Sequence, residues 1–471
     1  MSEESILFDV DSYKPSHFSL YRPGTKSMFS FVESRGGLYP ETVYAGSQYY
    51  AKKYLIKPIT VSEVNEARDF YAAHGVPFDY DGWLHIVNKH GGFLPVRIRA
   101  VPEGSVVPTH NVLCTVESTD ERVFWAASWL ETSLLRSIWY PTNVATLSWH
   151  IKRDIMGYLD RTCDDPASQI LFRLHDFGSR GVSSQESAGL GGVGHLINFR
   201  GSDTVVALRY AKKYYNCDMA GWSIPATEHS TITSWGREYE AAAYAEVLKQ
   251  YAKPGSIVAC VSDSYDIYNA IDNLWGGTLK QQVIDSGATL VIRPDSGIPH
   301  EVVFNCLRKL DEKFGHKVNN KGYKVLNHVR LIQGDGINHD SIKQIMAVNA
   351  TGGYSAENVA FGMGGALLQQ HNRDTQKFAM KCSSVTTVDG IEHDVYKDPI
   401  TDVGKRSKKG RLDLIRHSGW ADHEINGFST IILSPGEVAH ENSCMQTIYE
   451  NGSLYNETSL DEIRARADSF L

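Results

Sequence analysis

The stretch "SIPATEHSTITSWG", residues 223–236, sets one imidazole, His229, beside Glu228 and among six serines and threonines. A histidine in such company suits two roles. One is a hydrogen-bonded structural residue, the usual fate of a lone histidine; the other is a nucleophile held in one tautomer by a carboxylate. In an extended chain neighbouring side chains face opposite ways, so Glu228 would turn from the ring. Asp263, at the end of "SIVACVSD", is then the better orienting acid. The stretch is too poor in apolar residues for a core strand and too rich in hydroxyls for a comfortable helix.

Three further motifs carry chemistry. "HDFGSRGVSSQES", His175–Ser187, combines an aromatic, an arginine, glycines and hydroxyls. Phe177 suits stacking on a flat ring and Arg180 suits an anion; the alternative is a glycine-rich loop with Phe177 as a core plug. "GLGGVG", Gly189–Gly194, has dinucleotide-fingerprint spacing, but the polar "GVSSQESA" precedes it where a strand is required. Helix packing or a flexible turn is the better reading. "KRSKKGR", Lys405–Arg411, is dense in cations; a solvated loop, a nuclear-localisation signal and a phosphate-handling loop all fit it.

These residues need a frame, and the chain between about 150 and 380 repeats one grammar. A short apolar, β-branched run ends in a charged residue or glycines, and a helical pattern follows. Asp263, then Arg293 with Asp295, then Gly334 with Asp335, then Gly364 with Gly365 each end such a run. Continuous apolar strands alternating with helices form a parallel sheet buried on both faces. Polar groups at successive strand ends favour a (β/α) barrel-like α/β core, whose sites gather on that face, over a doubly wound sheet with one crevice. Residues 1–145 read as β-rich, from the period-two alternation of "FLPVRIRAVPEGSVVPTHNVLCTVEST". Residues 386–471 are again strand-rich and end in the short helix "SLDEIRARADSF". The expected layout is a core over 146–385, with the two terminal segments forming an additional mixed α+β domain.

At 471 residues the chain exceeds a single simple core. A net charge of −8 disfavours nucleic-acid and anionic-membrane binding, so phosphate chemistry must rest on local basic clusters. The seven cysteines include no C-x-x-C pair, which indicates neither a disulfide framework nor a zinc knuckle. The acidic N-terminus lacks signal-peptide layout and no apolar run spans a bilayer. A cytoplasmic protein is expected.

"DSYKPSH", "HDFGSRGVSSQESAG", "NFRGSDTV", "SIPATEHSTITSWG", "VSDSYDIYNA", "IRPDSG", "IQGDG", "FGMGGALLQQ", "YKDP" and "KRSKKGRL" occur in this order. Together they resemble the nicotinamide phosphoribosyltransferase family, type II phosphoribosyltransferases, from about Asp11 to the C-terminal helix. The resemblance implies a homodimer with shared sites, acting on nicotinamide and phosphoribosyl pyrophosphate, with Mg²⁺ and with ATP as a stimulating co-substrate. It implies that Phe177 and Tyr13 of the partner subunit sandwich the pyridine ring and that Asp203 accepts the amide N–H. Arg293 and Asp295 resemble the residues beside the ring and the ribose hydroxyls. Gly334, Asp335, Gly364 and Gly365 resemble the ribose and 5′-phosphate cradle. Arg180 and His229 resemble pyrophosphate contacts within one chain; Arg35, Arg373, Lys381, Lys397 and Lys405 resemble those reaching it at the interface. His229 is similar to the family's phosphorylatable histidine, with Asp263 as its orienting acid. No metal-contacting side chain is assigned. Ser179 and Ala379 stand where animal members carry tyrosine and serine. The rival readings are a nicotinate or quinolinate phosphoribosyltransferase, a non-catalytic nucleotide-binding relative, and a sugar-processing barrel with paired carboxylates.

Overall fold

The computed structural model describes residues 5–401, 406–417 and 424–471. The chain divides into two compact units. One comprises Met1–Thr146, Tyr210–Asp218 and His371–Leu471; the other comprises Leu147–Arg209 and Met219–Gln370.

The second unit is built on six parallel strands, in chain order Leu174–Asp176, Gly201–Ser202, Ile257–Val261, Thr289–Arg293, Val329–Gln333 and Val359–Met363. In space, Gly201–Ser202 lies at one edge and Ile257–Val261 at the other. The segment 222–226 touches both edges, through parallel bridges Gly201↔Trp222 and Ala226↔Ala259. Its backbone accepts the Ser202 N–H at Trp222 (3.2 Å) and the Ala259 N–H at Pro225 (2.9 Å). A flat six-stranded sheet would hold its edges roughly 24 Å apart, while four residue steps cover about 13 Å. The sheet is therefore curled into a half-barrel, and the beginning of the hydroxyl-rich stretch spans its gap. This is the barrel-like core expected from the strand–helix alternation.

Ala259, Val291 and Ile332 form a small apolar cluster with Phe177, Ile224 and Ala360 packed against it. Two alanines among these residues leave the barrel incompletely filled, and a cavity of about 400 Å³ remains. On an outer helical layer Tyr244 stacks on Trp275 at 4.4 Å. The Trp275 indole N–H donates to Ser262 at 3.0 Å, tying that layer to the strand end before Asp263.

The first unit carries a seven-stranded sheet in the order Glu392–Asp394, Phe378–Thr387, Thr25–Ser34, Val112–Ser118, Val96–Ala100, Gln446–Glu450, Ser453–Leu454. Every neighbouring pair is antiparallel, as the period-two alternation required. Two expectations need correcting. The boundary placed at 385 moves to Gln370/His371, because Phe378–Thr387 makes its ladder with Thr25–Ser34. The N-terminal part is also not simply β-rich: Val61–His74 and Tyr80–His90 are helices. The first has a capping box between Thr60 and Glu63 and stops at Gly75, at φ 89°. Trp83, on the second of these, packs ring against ring with Trp125 and Trp129. The 32-residue helix Glu131–Thr162 runs across the division at Thr146.

Among the described residues, which include all seven cysteines, no disulfide is formed. Among the described residues no helix is long and apolar enough to cross a membrane.

Candidate active site

The C-terminal ends of all six parallel strands carry residues singled out in the sequence. Phe177 follows Leu174–Asp176, Asp203 follows Gly201–Ser202, and Asp263 follows Ile257–Val261. Arg293 closes its strand with Asp295 two residues on. Gly334 and Asp335 follow Val329–Gln333, and Gly364 and Gly365 follow Val359–Met363. Parallel strands all end on one rim, so the topology gathers these side chains without further contrivance.

The cavity is lined by Phe177, Asp203, Ser223 and Arg293 at that rim and by Phe172, Arg173, Ile257 and Arg330 towards the strand starts. It thus runs through the half-barrel. The Phe177 N–H donates to the Met363 carbonyl at 3.0 Å. Its ring lies over Gly362, where a Cβ would come within 2.0 Å of Cε2. Glycine is required there so that the ring can lie flat on the neighbouring strand. Asp203 is exposed, its backbone N–H held by the Asp176 carbonyl at 2.9 Å. The Ser223 hydroxyl donates to Asp203 Oδ1 at 2.7 Å.

His229 Nε2 meets Asp263 Oδ1 at 2.9 Å, with the imidazole 45% exposed and the carboxylate 6%. The other oxygen of Asp263 accepts the Asp295 N–H at 3.0 Å and the Ser296 hydroxyl at 2.6 Å. Burial pushes the Asp263 carboxyl up, but the hydrogen bonds from Ser296, His229 and Asp295 outweigh it and hold it below its ordinary value. Glu228 faces Ser230 instead, accepting its hydroxyl. One detail of the sequence reading is corrected: His229–Thr233 is a short helix. The hydroxyls accommodate it by bonding backward, Thr233 to the His229 carbonyl (2.9 Å) and Thr231 to that of Glu228 (2.8 Å).

Arg293 lies 3.7 Å from the Asp295 carboxylate. Burial, then the Asp263 and Asp335 charges, raises the Asp295 carboxyl against the opposing pull of Arg293 and His229. A Cβ on Gly334 would sit 2.9 Å from the Asp295 carboxylate. Gly364 precedes the one-turn helix Gly365–Leu368. Arg180 is exposed on the turn Ser179–Gly181. The glycines of "GLGGVG" lie inside the buried helix Gln185–Leu196, where Gly192 packs on Ala207 too closely for a Cβ. That is the helix-packing reading.

Tyr13, Arg35, Arg373, Lys381 and Lys397 belong to the first unit. Tyr13 is 55% exposed. Arg35 donates to Glu33 at 2.7 Å and Lys381 lies 3.6 Å from Glu131; both stand on or beside the paired strands Thr25–Ser34 and Phe378–Thr387. Arg373 and Lys397 are exposed. Of the basic loop, Lys405 lies outside the described residues; Arg406, Lys408, Lys409 and Arg411 are paired with Asp398, Glu33, Asp394 and Glu117. Ser223 and Ser296, which hydrogen-bond two of the site's acids, were visible in the sequence only as members of hydroxyl-rich loops.

A curled parallel sheet presenting an aromatic, acids, arginines and glycines on one rim defines the frame of a type II phosphoribosyltransferase. The model of the nicotinate phosphoribosyltransferase (NAPRTase) family matches residues 172–447, and that of the nicotinamide phosphoribosyltransferase N-terminal domain matches residues 5–98. A protein of Xanthomonas campestris pv. campestris named nicotinamide phosphoribosyltransferase is 55% identical over 466 residues, 99% of this chain and 98% of its own. One of that name from Acinetobacter baylyi is 30% identical, covering 97% and 96%. Among solved structures, nicotinate-nucleotide pyrophosphorylase from Pyrococcus furiosus shares the fold at TM-score 0.62 and 17% identity, covering 100% and 97% of the two chains. Human nicotinic acid phosphoribosyltransferase does so at 0.57 and 15%, covering 98% and 93%. The chain belongs to the nicotinate phosphoribosyltransferase family and is an enzyme of the phosphoribosyltransferase class.

Proposed function

We propose that the chain transfers the phosphoribosyl group of phosphoribosyl pyrophosphate to nicotinamide, forming nicotinamide mononucleotide and pyrophosphate in NAD salvage. Asp203 carries this reading. One of its oxygens takes the Ser223 hydroxyl, leaving the other to accept an amide N–H at the cavity mouth. A carboxylate there favours an amide donor and repels the carboxylate of nicotinate. The names of the two bacterial relatives support the same substrate.

In this reading the pyridine nitrogen attacks C1′ of the ribose as pyrophosphate departs. Phe177, with Tyr13 of the partner subunit, holds the ring flat, and Asp203 and Arg293 fix its rotation. Asp295, Gly334, Asp335, Gly364 and Gly365 hold the ribose and 5′-phosphate. Arg35, Arg180, His229, Arg293, Arg373, Lys381, Lys397 and Lys405 meet the charge that develops on pyrophosphate. Asp295 and Asp335 are hard oxygen donors at neighbouring strand ends, so they fit Mg²⁺ and would hold it; bound there, it would neutralise charge on the leaving group.

ATP enters through His229. With the Nε2–H donated to Asp263, the lone pair sits on Nδ1, which attacks the γ-phosphorus and releases ADP. Asp263 stabilises the positive imidazole that results. The protein acts as a cytoplasmic homodimer, each site completed by the partner.

The test is product formation from phosphoribosyl pyrophosphate with equimolar nicotinamide and nicotinate, with and without ATP, resolved chromatographically. Nicotinamide mononucleotide should dominate and rise with ATP. Dominance of nicotinic acid mononucleotide would overturn the role of Asp203, and no product of either kind would overturn the catalytic reading.

A further inference from the structure

One cluster in the first unit has donor chemistry that phosphoribosyl transfer does not use. The helix Tyr80–His90 carries His85 and His90, and both rings meet Asp120, the residue preceding the turn Glu121–Val123. Asp120 Oδ2 accepts from His90 Nε2 at 2.8 Å, from His85 Nε2 at 3.1 Å and from Lys89 Nζ at 2.8 Å. Its Oδ1 is held separately by the Arg122 N–H at 2.9 Å. Three donors thus converge on one oxygen that offers about two lone pairs. The carboxylate is 3% exposed, the imidazoles 19% and 20%, and the Lys89 side chain 59%.

We propose that His85 Nε2, His90 Nε2 and Asp120 Oδ2 form a binding site for a divalent transition-metal ion of the zinc kind, clipping this helix to the turn after Val112–Ser118. The three ligand atoms lie within 4.8 Å of one another. Tetrahedral zinc with bonds of about 2.0–2.2 Å spaces its ligand atoms roughly 3.4 Å apart, so both nitrogen–oxygen distances open by a few tenths of an ångström. Each neutral imidazole moves its proton from Nε2 to Nδ1 and gives the Nε2 lone pair to the ion, and water completes the fourth position. No electron changes hands. Lys89, on a long stem at the surface, turns out to solvent as the ion takes its place beside Oδ2.

Two imidazoles and one carboxylate suit zinc, nickel or copper and not Mg²⁺, so this site is chemically separate from the magnesium of the transfer reaction. The Arg122 N–H sets the carboxylate's orientation before any ion arrives, as outer-shell partners do in metal sites.

The test uses the full chain freed of metal by chelation. Zn²⁺ is titrated calorimetrically, Co²⁺ is followed by its visible absorption, and Mg²⁺ serves as control. The expected result is one equivalent of Zn²⁺ per chain, tetrahedral Co²⁺ bands, a raised Tm with Zn²⁺ and no response to Mg²⁺. His85→Gln and His90→Gln should each weaken Zn²⁺ at least about 10–100-fold, the loss that follows removal even of an outer-shell partner. Both keep a polar group and leave the transferase residues untouched. Lys89→Ala should bind Zn²⁺ more tightly, because it removes the competing cation. Zn²⁺ affinity unchanged in the histidine variants, absence of Co²⁺ bands, or Lys89→Ala binding no better than the parent would each overturn the proposal and leave a hydrogen-bond network around a buried acid.

Discussion

Asp203 is a small device with a large consequence for substrate choice. Ser223 fills one oxygen and the second is the one free to choose between an amide and a carboxylate. Asp203→Asn should lower the preference for nicotinamide over nicotinate by about 1.5–3 kcal/mol, the worth of a hydrogen bond to a charged group, or roughly ten- to hundred-fold in the ratio of kcat/KM. An unchanged ratio would remove Asp203 from the specificity argument. His229→Ala tests the other device: synthesis without ATP should persist while the ATP-dependent increment disappears, and Asp263→Asn should reduce that increment by loosening the tautomer. Behind Asp203, whose N–H its carbonyl accepts, lies Asp176, fully buried, with one carboxylate oxygen held by the Gly178 N–H at 2.8 Å. Burial pushes its carboxyl from 3.8 to about 6. A carboxyl raised in the folded state adds stability that is complete below about pH 4 and is lost as pH rises through about 6, on the order of 2–3 kcal/mol. Asp176→Asn should flatten that part of a urea-unfolding profile taken against pH.

At the scale of elements, glycine positions decide how closely the strands and the aromatic ring can approach. Gly362→Ala would press a Cβ to 2.0 Å from the Phe177 ring, so the ring must lift into the cavity. We expect KM for nicotinamide to rise well before KM for phosphoribosyl pyrophosphate, with circular dichroism unchanged; equal effects on both would mean that the strand itself had moved. The helix Val61–His74 gives a contrasting case, remote from any substrate role. Thr60→Ala removes its capping box and should cost about 1 kcal/mol of stability, seen as a lower Tm with activity intact. These elements were legible in different degrees. The period-two strands were read directly because their signal is local. The helix His229–Thr233 was not, since its hydroxyls satisfy backbone carbonyls one turn back instead of competing with the helix.

For the whole molecule, the proposed homodimer makes a separate prediction. If Tyr13 of the partner subunit completes the ring site over Phe177, then Tyr13→Ala and Phe177→Ala dimers are each impaired. Mixed and reassembled, they should recover about a quarter of the parental sites, because each hybrid dimer has one intact site and half of all dimers are hybrids. No recovery on mixing would place both residues in one chain's site. The sequence by itself determined the α/β core, the strand ends and their polar residues, because alternation of apolar strand and helix is a local pattern and a parallel sheet puts every strand end on one rim. It also pointed to Asp263 as the better orienting acid for His229, on the assumption of an extended stretch; the structure brings the two together, although His229 begins a short helix. Only the tertiary structure decided that residues 222–226 bridge the sheet's edges, that Phe378–Thr387 joins the flanking sheet, that Ser223 occupies one oxygen of Asp203, and that His85 and His90 converge on Asp120. Each of these depends on contacts between residues far apart in the chain, and those contacts are set by strand order and packing, which composition and spacing do not encode.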